Sequence, residues 1–297
     1  MTYGSATRFE TRHTAVVRTA AASLDRLEVW LPVPLDWSEQ AVREVSLSDS
    51  LKSVTAVGRQ TEVARGVSGP RRLTRGGVFE FVVECSIDVR PVTTSLNDLL
   101  SAPFETYRAN DRSVSLNLKS ETKVEATPEI HNLADDFVGR RRPQALVAYD
   151  IFRAVLARTS YTNTEFRGAA ACLRDGAGSC CDYSALFVAA CRAAGIPARM
   201  AVGYLADGRD RQHAWAEFLL PGGAWIPVDT SAADGTRDPD ECFGRLPADR
   251  VVVSKGADVT LAGRGGKRVD ILQRGAWWWS GRDTPRAEFS FSATKPA

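Results

Sequence analysis

The chain has 297 residues, 44% hydrophobic and 25% charged, the proportions of a globular protein with mass for one large domain or two smaller ones. Lys and Arg number 38 against 36 Asp and Glu, a formal charge of +2, so nothing electrostatic points to nucleic acid or an anionic membrane as partner. No stretch reaches the ~18 apolar residues of a membrane-spanning helix. The opening MTYGSATRFETRHTAVV lacks the basic and apolar segments of a secretion signal, which predicts a cytoplasmic location.

Residues up to about 125 read as β-rich. LEVWLPVP (27–34) and VFEFVVECSIDVR (78–90) mix β-branched and aromatic residues with partial alternation, and RSVSLNLKSETKVEA (112–126) alternates Val114, Leu116 and Leu118 with polar neighbours. Turn-forming clusters such as GVSGPRR (66–72) separate them. The expectation is an antiparallel β domain over 1–126, arranged as a sandwich.

The pattern changes at Thr127–Pro128, where a first helix is predicted to run to Gly139. A second follows Pro143 through QALVAYDIFRAVLAR, and a third, DYSALFVAACRAAG, ends at Gly195 with Pro197 just beyond. Strands then follow in ARMAVGYLA, HAWAEFLL, AWIPVDTS and RVVVSKGADVTL. Helices before strands predict an α+β domain over 127–297, with helices packed on an antiparallel sheet. No CxxC pair occurs among the six cysteines, which argues against a structural zinc site.

Three residues in this half carry chemistry. Cys180 follows a Gly-rich turn (Gly176, Gly178) and opens a helix, where the positive end of the helix dipole favours a thiolate. His213 opens a strand that places it on one face with Trp215 and Glu217. The turn Pro221–Gly222–Gly223 leads to a strand on which Trp225, Pro227 and Asp229 share a face, so a hairpin brings Asp229 toward His213. A carboxylate there fixes the imidazole tautomer and supports an imidazolium beside a thiolate. Taken alone, Cys180 would be a buried structural thiol and Asp229 a turn cap; together with His213 they read as a catalytic triad.

The stretch GSCCDYSALFVAACRAAGIPARMAVGY followed by QHAWAEFLLPGGAWIPVDTS resembles the core of bacterial transglutaminase-like proteins. The matching positions are Gly178, Cys180, Asp182, Tyr183, Arg192, Gly195, Pro197, Arg199, Gly203, Tyr204, His213, Trp215, Trp225 and Asp229. The resemblance is strongest over 128–262 and extends weakly to most of the chain. It implies a papain-like core with Cys180 as nucleophile, His213 as base and Asp229 as its orienting carboxylate. The family's spacing to Asp182 and Tyr183 selects Cys180 over Cys181, which is expected to point elsewhere because successive residues entering a helix diverge by ~100°.

Softer signals surround the triad. The Cys180 N–H is the natural first donor to a tetrahedral oxyanion, with Tyr161 as a candidate second donor and, equally, a packing residue. Trp215 and Trp225 either shield the site or pack beneath the sheet. Arg192 and Arg199 are expected to brace the fold. Of Trp277, Trp278 and Trp279, one is expected to be covered by a partner or folded inward.

No cofactor or metal is expected. Three function classes follow: acyl transfer from a peptide, amide or carrier-bound thioester to an amine through a thioester acyl-enzyme; hydrolysis of an amide on the same triad; and a non-catalytic binding module, which an intact triad disfavours.

Overall fold

The computed structural model describes residues 1–19, 24–55, 62–68, 77–139, 141–263, 267–282 and 284–296. Contacts divide the chain into two units, the first made of residues 1–5, 91–201 and 213–248, the second of 6–90, 202–212 and 249–297. This differs from a single cut at 126/127. Strand pairing is the reason: Ala276–Gly281 pairs with Leu24–Val33, and Arg286–Thr294 pairs with Thr7–Thr19, so the C-terminal segment completes the N-terminal sheets.

The second unit is an antiparallel sandwich. One sheet orders Ala276–Gly281, Leu24–Val33, Glu62–Ser68 and Leu51–Thr55; the other orders Arg286–Thr294, Thr7–Thr19, Gly77–Val89 and Gln40–Leu47. Period-two alternation puts Phe9, Ala15 and Val17 from one strand, and Phe81, Val83, Ile87 and Val89 from its neighbour, into a shared core. Leu27, Val29, Leu31 and Val33 of the other sheet complete it. The tryptophan run sorts by the same alternation. Trp277 and Trp279 stack at 4.5 Å against this core, and Trp278 packs on a separate cluster with Trp30 and Leu272. The Gly–Tyr pair of the sequence motif is structural here. A Cβ on Gly203 would lie 1.8 Å from the Val251 carbonyl, and Tyr204 stacks on Phe291 at 3.8 Å. The turn cluster 66–72 lies partly outside the described residues.

His13 is buried in the same core, edge-on to Tyr204 and Phe291. Burial pushes its pKa down to about 4. The unfolded chain, with an ordinary histidine, therefore binds more protons between about pH 6.5 and 4. Stability is full above that window, falls as pH drops through it, and levels off below. At pH 5 the loss should be about 2 kcal/mol relative to neutral pH. Urea unfolding of the wild type and of His13→Phe at pH 7 and pH 5 checks this, with the variant expected to lack that increment of acid sensitivity.

The first unit corrects one sequence expectation. Arg112–Asn117, which alternates like a strand, is a short helix. Local hydrogen bonding decides it: Asp111 caps the helix by accepting from the Ser113 N–H, and no face of the segment is deeply buried. Leu96–Leu100 is a second short helix, capped by Ser95. The remaining helices are Pro128–Asp135, Gln144–Arg158, Ala169–Asp175, Cys180–Ala193 and Thr230–Ala233. The helix Cys180–Ala193 is buried from Cys181 to Arg192, as suits a central helix with neighbours on several sides. Beside it run the strands Gln212–Leu219 and Trp225–Val228, paired antiparallel, with Glu217 opposite Pro227 and Leu219 opposite Trp225. Ala198–Leu205 borders the former strand and leads from the first unit into the second.

Candidate active site

The nucleophile turn is built around Asp182. Its Oδ2 accepts from the Ser179 N–H at 2.9 Å and the Ser179 hydroxyl at 2.8 Å. Its Oδ1 accepts from the N–H groups of Arg167 and Gly168, each at 2.7 Å. One fully buried carboxylate thus closes the helix start and ties it to the 167–168 loop. Gly178 is required beside it, since a Cβ there would lie 2.5 Å from the Asp182 Cβ and 2.9 Å from the Cys172 sulfur. The signal was present in the sequence as Ser179-x-x-Asp182, a capping-box spacing before an apolar run.

Cys180 is the first residue of this helix. Its pKa is lowered to about 5, by a hydrogen bond from the Cys181 thiol first, then by a hydrogen bond to His213, the His213 charge and the Ala214 N–H, with burial opposing. Cys181 is buried, and its own pKa is raised by its hydrogen bond to Cys180 and by desolvation.

His213 lies on the same face of its strand as Asp229 on the neighbouring strand, as the hairpin reading predicts. Its Nε2 is 2.7 Å from Asp229 Oδ2, which leaves Nδ1 for the sulfur. Burial works against a charged ring, but the Asp229 charge and hydrogen bond, with the contact to Cys180, raise the His213 pKa to about 9. The thiol is lowered and the imidazole raised, the directions that favour a thiolate–imidazolium pair. Asp229 also caps the helix Thr230–Ala233: its Oδ1 accepts from the Ala232 N–H at 3.1 Å, and its own N–H donates to the Cys242 carbonyl at 2.9 Å. The turn-cap role and the histidine-orienting role coexist, and the cap holds the carboxylate still.

The model of the transglutaminase-like superfamily core matches residues 131–230, a span that contains Cys180, His213 and Asp229. Over residues 131–230 the chain is similar to a transglutaminase-like core. Among solved structures, a candidate cysteine protease from Cytophaga hutchinsonii superposes with a TM-score of 0.65 at 17% identity, over 98% of this chain and 92% of that one. The periplasmic domain of TgpA from Pseudomonas aeruginosa, bound to ethylmercury, overlaps with a TM-score of 0.39 at 17% identity, over 79% of this chain and 92% of that one. No protein of curated function matches the chain in sequence. The fold is therefore the mixed transglutaminase-like and papain-like one, and this architecture supports cysteine-based catalysis in general. Among the described residues, no helix is long and apolar enough to cross a membrane.

The other expected positions fall into place around the transglutaminase-like core. Trp215 is fully buried and stacks on His213 with ring centroids 6.1 Å apart. It walls the imidazole from the inside, the packed alternative of the two readings of this residue. Trp225 carries the Arg199 guanidinium at 3.8 Å from its ring centre, and Arg199 also pairs with Glu217 at 2.8 Å, both side chains buried. Arg192 pairs with Glu121 at 2.6 Å and donates to the carbonyls of Ala198 and Lys119. Both arginines brace the core, as expected. Tyr161 is exposed, and its strand pairs in parallel with Ala177–Gly178, which brings it beside the nucleophile turn. Its ring tilts toward Tyr183, with centroids 6.5 Å apart. Sequence reasoning missed Asp234, which accepts from both the Tyr161 N–H and the Tyr183 hydroxyl.

Proposed function

We propose that this protein is a cysteine-dependent acyltransferase that forms or exchanges an amide through a thioester acyl-enzyme. The observation that carries the reading is the geometry of three side chains: Cys180 opens a buried helix and hydrogen-bonds to His213, whose Nε2 lies 2.7 Å from Asp229. In this reading the Cys180 thiolate attacks the acyl carbonyl of a peptide, amide or carrier-bound thioester. The oxyanion that develops is met by the Cys180 N–H at the helix start, with Tyr161 as candidate second donor. The tetrahedral adduct collapses, the acyl–leaving-group bond breaks, and His213 gives its proton to the departing amine or thiol. The now neutral imidazole takes a proton from the incoming amine as the amine attacks the thioester. Amide product leaves and the thiolate returns.

Transfer rather than hydrolysis is favoured by the shelter of the base. The His213 side chain is only 13% exposed and Trp215 closes its inner side. Water and amine both draw on that base, and the apolar wall beside it disfavours the water that would compete with a bound amine. The test is to load Cys180 from an activated thioester and follow the acyl-enzyme by intact-mass spectrometry with and without millimolar amine. Amine should speed decay at least about tenfold and appear in the product as amide. Decay at one rate in both, giving free acid, would make the protein an amidase or peptidase instead.

A further inference from the structure

We propose that Asp234 is a positioning residue that sets the spacing between the nucleophile and the carboxylate that orients its base. The inference rests on reading Cys180, His213 and Asp229 as the reactive group. A single oxygen, Asp234 Oδ2, accepts from the Tyr161 N–H at 2.7 Å and from the Tyr183 hydroxyl at 2.8 Å. Tyr183 is three residues after Cys180, hence one turn along the same face of the nucleophile helix. Tyr161 lies opposite Gly178 in the parallel strand pair that leads into that helix, and the Thr162 N–H donates to the Gly178 carbonyl at 2.9 Å. Asp234 itself closes the helix Thr230–Ala233, which Asp229 opens.

Three segments therefore meet at one half-buried carboxylate: the strand Ser160–Tyr161, which pairs with the one leading into the nucleophile, the helix that bears the nucleophile, and the short helix that begins with the base-orienting aspartate. Within the helix Thr230–Ala233 the Ala233 N–H donates to the Asp229 carbonyl at 3.1 Å, so displacement of Asp234 is transmitted to Asp229 in one turn. Tyr183 is fully buried, and its hydroxyl has a strong charged acceptor in Asp234, which holds the phenol protonated, together with desolvation as the larger effect. No substrate-facing role is needed to explain Asp234.

The test uses Asp234→Ala, Asp234→Asn and Tyr183→Phe in the full chain. The readout is the pH dependence of Cys180 alkylation by iodoacetamide, mapped by peptide mass spectrometry, with thermal unfolding measured alongside. Asp234→Ala should move the alkylation midpoint upward and slow alkylation about tenfold below the wild-type midpoint, for each pH unit of displacement. Asp234→Asn keeps an accepting oxygen for both donors and should stay within about twofold of wild type. Tyr183→Phe removes only the helix link and should shift the midpoint in the same direction by less, which keeps the proposal testable if Asp234→Ala fails to fold. Unchanged midpoints in the variants, beside a wild type that titrates low, would overturn the assignment alone. A wild-type midpoint near that of an ordinary thiol would overturn the triad reading and the assignment with it.

Discussion

Replacing Cys180 with alanine should remove acyl-enzyme formation and lower kcat/KM on any productive donor by on the order of 10⁴-fold or more, because it removes the sulfur that forms the thioester. Cys181 separates the roles of the two adjacent thiols. Its hydrogen bond is the foremost cause of the low Cys180 pKa. Cys181→Ser keeps a donor at that position and should retain most activity, whereas Cys181→Ala should raise the Cys180 pKa and slow reaction at mildly acidic pH. Intact-mass measurement of acylation, with tryptic mapping of the modified cysteine, distinguishes the cases. Acylation of Cys181 in the Cys180→Ala protein at a rate near wild type would show that the nucleophile has been misassigned.

The second large effect is on stability, at Asp182. Alanine there leaves the N–H groups of Ser179, Arg167 and Gly168 and the Ser179 hydroxyl without their acceptor. The carboxylate is fully buried, so water does not readily replace it. Each stranded donor costs about 1–3 kcal/mol, and the sum should reach on the order of 4 kcal/mol even with partial relaxation. Thermal and urea unfolding of Asp182→Ala should show a fall in Tm of roughly 10 °C. A loss below about 1 kcal/mol would mean that the loop 167–168 and the helix start reorganise without it. The residue is thus a structural partner of the nucleophile, and its activity loss should track loss of folded protein.

Much of the core was legible because its signals are local and mutually consistent. Glycines before Cys180, the apolar helix after it and the His213–Asp229 hairpin each obey a short-range rule, and the observed register places His213 and Asp229 on one face as alternation requires. Three features were not legible, for different reasons. Arg112–Asn117 alternates like a strand, but the Asp111 cap and the absence of a covering sheet let helical hydrogen bonds win. The division into units depends on Thr7–Thr19 and Leu24–Val33 pairing with strands more than 200 residues away, and no window of sequence reports such pairing. Asp234 carried no motif at all, since its partners at Tyr161 and Tyr183 belong to other elements.

Whether Cys180 and His213 form a thiolate–imidazolium pair at neutral pH is read from the ultraviolet absorbance of the thiolate, titrated as the difference between the wild type and Cys180→Ala. The thiolate signal should appear with a midpoint near pH 5 and change again near pH 9 as His213 loses its proton, with a plateau between. In His213→Ala the midpoint should rise, with the hydrogen bond of Cys181 still holding it below that of an ordinary thiol. A wild-type signal that appears only near pH 9 in a single step would contradict the account.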